Sequence, residues 1–422
     1  MIKRQDVVIT GMGLISPIGL NISELISNLT TSKSGIHLWE SPKLTKKFPA
    51  GLIQQSFVNE FTKLELPYLD RCSQMAILAA RQAIADAELT GFSDYKQRAG
   101  LFFGTVKAGF ESEELWFEQF MTAHKEAGRP YSIFAIMHNA AAAHISIRHQ
   151  ILGPVMTHSS ACTSSGTAIG DAYRAVRDGY LDVAVAGGAE APLTAALFGC
   201  WDGTRTLATP DAVDVSQSCR PFSKNRSGLV LGEGSAFVVL ESAEHARQRG
   251  ASCYATLSGY GIASDGYHIG SPKVDGQVIA MCAAMNDAGV RPGEIEYVNA
   301  HATATRGGDV IETNAIRLAF GDEADTVPVS STKSVHGHLL GAASVTELII
   351  TIVAMTESFL PATTNLDEVD PDCNLNHVAN IPIFDRTIEH AMSFSSGLGG
   401  TNVALVVSKY LEMSSKRHAV PV

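Results

Sequence analysis

One cysteine and two histidines stand out in this sequence as side chains that could do chemistry. Cys162 lies among small residues in the segment 157–166, and an Ala-rich helical run follows it directly. A thiol at a helix N-terminus faces unpaired backbone N–H groups and the positive end of the helix dipole, which favours the thiolate. His301 follows the end of a predicted strand, and His338 lies in a Gly-rich strand-to-helix turn. Taken alone, Cys162 could equally be a buried, inert core residue.

Together, these side chains predict acyl-transfer chemistry. A Cys thiolate can carry an acyl group as a thioester, and two neutral imidazoles can stabilise an enolate at one carbonyl oxygen. This set suits carbon–carbon bond formation from a decarboxylated malonyl unit, whereas hydrolysis would need one His beside the nucleophile and an acid to orient it. A metal site is the alternative, but the three residues are widely spaced, no carboxylate accompanies them, and the chain has no CxxC pair. We therefore expect no metal.

The composition argues against several classes of function. The chain has 422 residues, which predict two or three compact units. Its 32 Lys and Arg against 43 Asp and Glu leave a net charge of −11, which disfavours binding to nucleic acid or to a membrane surface. We find no unbroken apolar stretch of membrane-spanning length and no signal-peptide pattern. Seven Cys without paired spacing suit a reducing compartment, so we expect a cytoplasmic protein.

Short β-branched runs alternate with Ala-rich helical stretches along the chain, which is typical of an α/β fold. Examples are the predicted strand 183–186 and the predicted helix 168–178. Hydrophobic residues make up 45% and charged residues only 18% of the chain, so apolar surface is available for an oligomer interface.

A faint internal repeat divides the sequence. The segment Val7–Ser16 resembles Ala255–Ser264, because each is a strand that runs into a Gly-x-Gly turn. Likewise, the Cys162 turn resembles Ser330–Ser334, which also precedes a small-residue stretch. Two such halves would place two helix N-termini around one pseudo-twofold axis, although chance similarity among Gly and Ser turns is the alternative. The predicted units are residues 1–250, which carry the cysteine, residues 251–412, which carry both histidines, and a tail, residues 413–422.

Four ordered motifs carry a resemblance to a known family. They are Ser160-Ala-Cys-Thr-Ser164, Asn299-Ala-His-Ala-Thr-Ala-Thr305, Thr332-Lys-Ser-Val-His-Gly-His338 and Gly397-Leu-Gly-Gly-Thr-Asn402. From about Val7 to Val407, the chain resembles the β-ketoacyl-acyl-carrier-protein synthases, in their elongating, type II fatty-acid and polyketide branch. The resemblance implies an α/β, thiolase-like fold with two pseudo-repeated halves in a five-layered αβαβα sandwich. It also implies an acyl carrier protein as partner and a dimer, either of identical chains or with a chain-length-factor-like homologue.

The resemblance implies catalytic roles for five residues. Cys162 would be the acylated nucleophile, and His301 and His338 would bind the thioester carbonyl of the malonyl unit and assist its decarboxylation. Lys333 would organise the His pair through a nearby acid, for which Glu312 is the matching residue; a solvated helix face is the alternative for that carboxylate. No resident cofactor is expected, because the 4′-phosphopantetheine arm arrives on the carrier protein.

Further residues are implied to bind the substrate and its carrier. The oxyanion hole would be formed by the backbone N–H groups of Cys162 and Leu398, and Thr303 and Thr305 would hydrogen-bond the pantetheine arm. The implied substrate-binding residues are Thr303, Thr305, Lys107, Trp201, Phe394 and Leu398. The candidates for carrier docking are Arg71, Arg129 and Arg205, with structural surface charge as the alternative.

Several positions depart from the family pattern. Ala302 and Ala304 replace the usual glycines, so two methyl groups are expected to crowd the pantetheine loop. Leu398 replaces the aromatic gate over the acyl pocket. Lys107 puts a charge at the border of the acyl tunnel, which is costly unless that charge is paired. These departures predict a specialised substrate, such as a polyene or other polyketide.

The leading hypothesis is a decarboxylative Claisen condensation that extends an acyl chain on Cys162 by two carbons from malonyl-acyl-carrier protein. The alternatives are an ordinary fatty-acid elongating synthase and a ketosynthase subunit that is active only with a chain-length-factor-like partner. A thiolase-type acyltransferase would need a second Cys in a C-terminal Gly-rich loop, and none follows Cys373. A non-catalytic chain-length factor would typically lack the nucleophile that this chain has.

Overall fold

The computed structural model describes residues 4–124 and 131–410; the predicted tail and Arg129 lie outside them. The strands are β1 (Val7–Ile15), β2 (Ile36–Trp39), β3 (Phe48–Gly51), β4 (Ala99–Gly104), β5 (Val155–His158), β6 (Val183–Glu190), β7 (Leu231–Gly232), β8 (Gly234–Ser242), β9 (Ala255–Ser264), β10 (Tyr297–Asn299), β11 (Val329–Ser330), β12 (Phe359–Leu360), β13 (Ile383–Phe384), β14 (His390–Ser396) and β15 (Thr401–Lys409). The helices are α1 (Ile22–Thr30), α2 (Arg71–Asp86), α3 (Phe110–Ala123), α4 (Ser132–Ile136), α5 (Ala140–His149), α6 (Ser164–Arg177), α7 (Ala195–Thr204), α8 (Ala243–Gln248), α9 (Val274–Ala288), α10 (Arg306–Phe320), α11 (Lys333–His336) and α12 (Ala343–Thr356). Within the two described ranges, every helix is too short or too polar to traverse a bilayer.

The main sheet repeats one pattern twice. Its strand order is β11-β10-β14-β15-β9-β1-β8-β6-β4-β5. In one half, β1 is antiparallel to β8 and β8 to β6, and the next pairs, β6 with β4 and β4 with β5, are parallel. In the other half, β9 is antiparallel to β15 and β15 to β14, and the next pairs, β14 with β10 and β10 with β11, are parallel. β1 and β9, the strands of the sequence repeat, occupy equivalent places and meet through only two residue pairs. The internal repeat is therefore present in the topology.

Helices cover both faces of each half-sheet. α6 and α12 pack against each other between the two halves, α2 and α5 lie outside the first half, and α9 and α10 lie outside the second. The period of two along a strand explains this layering. On β6, Ala184 and Ala186 face the central helices, whereas Val183 and Val185 face the outer core around α2. The predicted five-layered, thiolase-like αβαβα sandwich is confirmed.

Each chemically interesting turn follows the carboxyl end of a strand, where functional loops of α/β proteins gather. β5 leads to Cys162, β10 to His301, β11 to the turn of Lys333 and His338, and β14 to the loop of Leu398. The first of these strands belongs to one half of the sheet and the other three to the second half. The candidate site therefore lies where the two halves meet.

Candidate active site

The cysteine turn is held in a strained, well-anchored conformation. Ala161 has a left-handed backbone (φ +55°), which an L-residue adopts only when its surroundings enforce it. The Ser164 hydroxyl provides that support: it accepts from Ser160 N–H at 2.9 Å and donates to Ala161 C=O at 2.6 Å. Because α6 begins at Ser164 and Thr163 is its N-cap, Cys162 lies two residues before the helix, with 5% of its surface exposed.

The fold brings the two predicted imidazoles to the predicted sulfur. His338 Nε2 lies 2.9 Å from Cys162 Sγ. One donor atom from each of Cys162, His301 and His338 lies within 4.8 Å of the others, and all three residues are buried. The imidazole rings are nearly perpendicular, with centroids 5.3 Å apart. A thiol and two imidazoles could also ligate zinc, but an ion bound there would occupy the sulfur and prevent its acylation.

Burial sets the protonation of this trio. It lowers the pKa of both His301 and His338 well below the usual value near 6.5, and the nearby Lys333 ammonium lowers both further. The imidazoles are therefore neutral at physiological pH. Burial also raises the pKa of Cys162 to about 11. The sulfur is therefore a thiol at neutral pH, because the cost of desolvating the thiolate outweighs the groups that favour it.

The Gly-rich loop after β14 points a backbone donor at the sulfur. The Leu398 N–H hydrogen-bonds to Cys162 Sγ and partly offsets the rise in the thiol pKa. A methyl group on Gly397 would lie only 2.9 Å from the Ser160 carbonyl oxygen, so glycine permits this close approach. The Leu398 side chain is 51% exposed. Its backbone therefore faces the sulfur while its side chain faces solvent.

The acid that ion-pairs with Lys333 differs from the expected one. Lys333 Nζ forms a salt bridge with Glu347 on α12, and both side chains are completely buried. Glu312, which the resemblance suggested, instead accepts hydrogen bonds from the backbone N–H groups of His301 (2.6 Å) and Ala302 (2.7 Å). Glu312 therefore holds the histidine loop, and Glu347 neutralises the lysine.

Glu312 is not part of a solvated helix face. It is buried on α10 together with Asp309, one turn earlier, whose Oδ2 accepts from the Phe222 N–H at 2.8 Å. Burial and the neighbouring Asp309 carboxylate raise the pKa of Glu312 to about 8. α10 thus uses two buried carboxyl groups to anchor backbone near the site.

A hydrophobic cluster surrounds the sulfur. We call it the Cys162 cluster; its buried members are Phe48, Ala50, Cys162, Phe198, Leu229, Leu231 and Leu340, and Trp39, Leu44, Val106, Ala161, Leu193, Trp201 and Leu207 pack against it. Phe198 stacks between Trp39 and Phe48, with ring centroids 4.3 and 4.8 Å away. Trp201, predicted to line the pocket, lies three residues beyond Phe198 on α7 and thus on the same helix face.

Phe394 does not contribute to this cluster. It is fully buried on β14 but packs in the outer core formed with α9 and α10. Its neighbour Ser395 points the opposite way and accepts a hydrogen bond from Ser344 on α12 at 2.9 Å. Because side chains alternate along a strand, Phe394 faces away from the central helices. The prediction that Phe394 binds substrate is wrong.

Lys107 lies at the edge of the Cys162 cluster, next to Val106, and its charge is paired. Its ammonium contacts the Glu113 carboxylate and lies 5.1 Å from the centre of the Phe110 ring. Its backbone N–H donates to the buried Glu190 at 3.2 Å. Lys107 is thus fixed at both ends, and the pairing offsets the cost of its charge.

The loop of Thr303 and Thr305 is partly exposed, and the two hydroxyl oxygens lie 3.2 Å apart. The expectation that methyl groups at 302 and 304 crowd this loop is wrong. Ala302 packs into the outer core of the second half, and Ala304 packs against Cys219 and Ala208. Ala304 has a positive φ of 66°, which turns its methyl group inward.

The two described candidates for carrier-protein docking, Arg71 and Arg205, differ in whether their side chains already have partners within the chain. Arg71 donates to Glu233 at 2.6 Å and to the carbonyl of Ile53 at 2.7 Å, so its guanidinium is committed within the chain. Arg205 is exposed at the end of α7 and forms no ion pair with any described residue. Arg71 therefore acts structurally, and Arg205 remains available to a partner.

Two buried acids escaped the sequence analysis. Glu347 pairs with Lys333, and Glu190 accepts hydrogen bonds from the N–H groups of Val106 (2.7 Å) and Gly341 (3.1 Å). Both had a signal: each is a lone carboxylate in an apolar segment, Glu347 within α12 and Glu190 at the end of β6. An isolated charge in such a segment predicts a buried partner.

Comparison with known protein families identifies the family to which this chain, with its Cys162, His301 and His338 site, belongs. The sequence model of the β-ketoacyl synthase N-terminal domain matches residues 4–246, and that of the C-terminal domain matches residues 254–367. The chain belongs to the β-ketoacyl synthases. It is 36% identical over 415 residues to 3-oxoacyl-[acyl-carrier-protein] synthase 2 of Staphylococcus aureus strain COL, which covers 97% of this chain and 100% of that protein. It is 37% identical to nodulation protein E of Rhizobium meliloti strain 1021, over 94% of this chain and 98% of that protein.

Solved β-ketoacyl synthases have the same fold. A β-ketoacyl synthase from Burkholderia phymatum superposes with a TM-score of 0.88 at 31% identity, over 96% of this chain and all of that one. The ishigamide ketosynthase/chain length factor gives 0.88 at 31%, and AntDE, a ketosynthase in complex with its type II polyketide acyl-carrier protein AntF, gives 0.87 at 29%. Each of these last two matches covers 97% of this chain and 100% of the other. This β-ketoacyl synthase is an acyltransferase-type enzyme.

Proposed function

We propose that Cys162 accepts an acyl chain from an acyl carrier protein and that the enzyme extends it by two carbons from malonyl-acyl-carrier protein. The observation that carries this proposal is the convergence of the buried Cys162 sulfur, two neutral imidazoles and the Leu398 N–H. Such a site can hold an acyl thioester and an enolate in succession, away from water.

In the acylation step, the sulfur attacks the carrier's thioester carbonyl. His338 Nε2, 2.9 Å from the sulfur, takes the thiol proton. The negative oxygen that forms is stabilised by the N–H groups of Leu398 and Cys162. The carbon–sulfur bond to the carrier then breaks, and the proton passes to the departing pantetheine thiolate. A thiol with a pKa of about 11 needs this proton acceptor at neutral pH.

In the condensation step, the two imidazoles act on the malonyl thioester. His301 donates its Nε2–H to the carbonyl oxygen. His338 does the same once its single proton has moved from Nδ1, where acylation leaves it, to Nε2, and loss of carbon dioxide then leaves an enolate at that oxygen. The enolate carbon attacks the acyl carbonyl on Cys162, the bond to Sγ breaks, and the Cys162 thiolate that leaves takes a proton from solvent once the product has departed. Neutral rings suit this role because each keeps an N–H donor and needs no counter-ion.

A specialised substrate is favoured by two features of the pocket. The paired Lys107 brings a polar group to the edge of the Cys162 cluster, where a carbonyl or hydroxyl on a growing chain could bind it. Phe198 and Phe48 are buried in the aromatic stack, and its half-buried member, Trp39, can offer a flat ring surface to a conjugated chain. We propose a polyketide or polyene chain as the acyl substrate.

Ordinary fatty-acid elongation is the second candidate. It is favoured by the 36% identity to the Staphylococcus aureus 3-oxoacyl-[acyl-carrier-protein] synthase 2 over the full length of that protein. A panel of saturated, polyene and β-keto acyl-carrier substrates distinguishes the candidates. Lys107→Met should improve the use of saturated chains relative to oxygenated ones if Lys107 contacts the chain, and should leave this preference unchanged if it does not.

We also propose a ketosynthase-like second subunit and an acyl carrier protein as partners. The solved relatives include a ketosynthase with its acyl-carrier protein and a ketosynthase/chain length factor. In this chain, β5 is an edge strand with exposed Val155 and Met156, and α3 exposes Phe117 and Phe120. An exposed strand edge and exposed large apolar side chains are both features that suit a subunit interface. Native mass spectrometry distinguishes an identical partner from a homologous one.

Intact-protein mass spectrometry tests the core of the proposal. Incubation with acyl-carrier substrate should add one acyl mass, and Cys162→Ala should abolish both this adduct and condensation. Cys219→Ala is the matched control, because Cys219 is also buried with a pKa raised to about 12 but lies outside the Cys162 cluster. Acylation or condensation that survives in Cys162→Ala would refute the proposal.

A further inference from the structure

One exposed arginine lies directly beyond the threonine pair. Arg306 is the first residue of α10 and follows Thr305. Its side chain is exposed and forms no ion pair or hydrogen bond with any residue in 4–124 or 131–410. The space around the next residue is open, because a methyl group added to Gly307 would contact no other atom within 4 Å. An anion could therefore approach this guanidinium freely.

The other cations near Arg306 are already compensated. Lys224 pairs with Glu368 at 2.6 Å, and Arg226 pairs with Asp370 at 2.6 Å. Arg226 also donates to the backbone carbonyl of Arg306 at 2.7 Å, which fixes this end of the loop. The Arg306 guanidinium therefore provides an uncompensated positive charge on a firmly held backbone, in a chain with a net charge of −11.

The pantetheine arm is long enough to pass the threonine pair. From the thiol to the phosphorus, the arm has about as many bonds as four extended residues, which span roughly 14 Å. The loop from His301 to Thr305 has four residue steps, but the left-handed backbone of Ala304 and the 3.2 Å separation of the Thr303 and Thr305 hydroxyl oxygens make its span shorter than that. An extended arm that starts at the Cys162 sulfur and runs along the threonine pair can therefore place its phosphate beyond Thr305, where Arg306 lies.

We propose that Arg306 binds the phosphodiester that joins the pantetheine arm to the carrier protein. The inference rests on the proposed function, because it needs the carrier's arm to lie along the threonine pair. The planar guanidinium can donate two parallel N–H groups to two phosphate oxygens, which fixes the position of the arm as well as its charge. Arg306 acts as a positioning residue, since it holds the phosphate rather than the reacting atoms.

Three acyl donors isolate this contact: acyl-carrier protein, the acyl thioester of free 4′-phosphopantetheine, and the acyl thioester of pantetheine without phosphate. The rate of Cys162 acylation is measured for each by intact mass. Arg306→Ala should lower the rate at limiting donor about tenfold with the first two donors and leave the third unchanged, because a charge-assisted contact is lost only where phosphate is present. Arg306→Lys, which keeps the positive charge but not the two parallel N–H donors, should give an intermediate rate with the first two donors.

Arg386→Ala is the matched control. Arg386 is also exposed and forms no side-chain ion pair with the described residues, but it lies before β14, at the end of the sheet opposite the site. Arg386→Ala should leave the rate of Cys162 acylation unchanged with all three donors. An equal loss in Arg306→Ala with all donors would overturn the inference by indicating a structural role, and so would a loss confined to the intact carrier protein, or no loss at all. If the wild-type enzyme accepts an acyl group from none of the donors, the proposed function itself fails.

Discussion

Replacing Lys333 with methionine should test the electrostatics of the site most directly. Lys333 and Glu347 are both completely buried and pair with each other. Lys333→Met leaves the Glu347 carboxylate in the core without its partner, at a cost of about 3–5 kcal/mol in the free energy of unfolding. This is a large part of the roughly 5–15 kcal/mol that stabilises a typical protein. The double variant Lys333→Met/Glu347→Leu should regain most of the loss, because it removes the second buried charge as well.

The same substitution should move the pH dependence of condensation. The Lys333 ammonium is the second cause, after burial, of the lowered pKa of His301 and His338. Without that positive charge, protonation of both rings becomes easier, so their pKa rises towards 6.5. Because the protonated rings are the inactive form in the proposed mechanism, the acid limb of the rate profile should shift to higher pH. The shift should be smaller in the double variant, which lacks the Glu347 carboxylate that would favour a protonated ring.

Denaturant unfolding and a pH profile of condensation measure both effects. Lys224→Met is the control, since Lys224 pairs with Glu368 on the surface and should change neither quantity appreciably. Two results would refute the reasoning. A double variant no more stable than Lys333→Met would mean that the buried charge is not the source of the instability. An acid limb that stays in place or moves to lower pH would mean that Lys333 does not depress the imidazole pKa values.

Two further predictions concern the sulfur and the loop beside it. The first is measured in a Cys200→Ala background, which removes an exposed thiol. The rate at which iodoacetamide alkylates Cys162 should keep rising about tenfold per pH unit towards pH 11, because burial raises the pKa of this thiol to about 11. A rate that reaches a plateau near neutral pH would contradict this prediction. Gly397→Ala should slow acylation, because the new methyl group would lie 2.9 Å from the Ser160 carbonyl oxygen and push the loop away from the sulfur. Gly203→Ala is the control, because the space around Gly203 in α7 is open; it should leave acylation unchanged and stabilise the fold by about 0.5–1 kcal/mol. Equal effects of the two glycine substitutions on acylation would argue against a close approach of Gly397 to the Ser160 carbonyl.

The sequence was sufficient to predict the fold and the three side chains that converge at the candidate site. The predicted strand 183–186 lies within β6, and the predicted helix 168–178 overlaps α6. Both elements have strong local patterns, and their ends differ because tertiary contacts extend them. Cys162, His301 and His338 could be found because reactive residue types stood in small-residue turns after predicted strands.

The errors arose where function depends on side-chain direction or on burial. Phe394 is near the site in sequence, but strand alternation turns it into the outer core. Ala304 turns its methyl group inward through a positive φ that no local pattern announced. The pKa of Cys162 depends on how completely residues distant in sequence, such as Phe198 and Leu340, bury the sulfur, which the cysteine turn alone does not reveal. The partner of Lys333 likewise comes from a distant helix, α12.

The division of the sheet into two halves, which meet where β1 pairs with β9, has a consequence for the enzyme's biosynthesis. Ribosomes make the thiol-bearing half first, whereas both imidazoles and the Leu398 donor belong to the half that is made later. A nascent chain therefore carries the nucleophile without the groups that activate it. In the proposed mechanism, condensation must therefore wait until α6 and α12 have docked and both imidazoles lie beside the sulfur, so the duplicated architecture makes the activity a property of the completed chain.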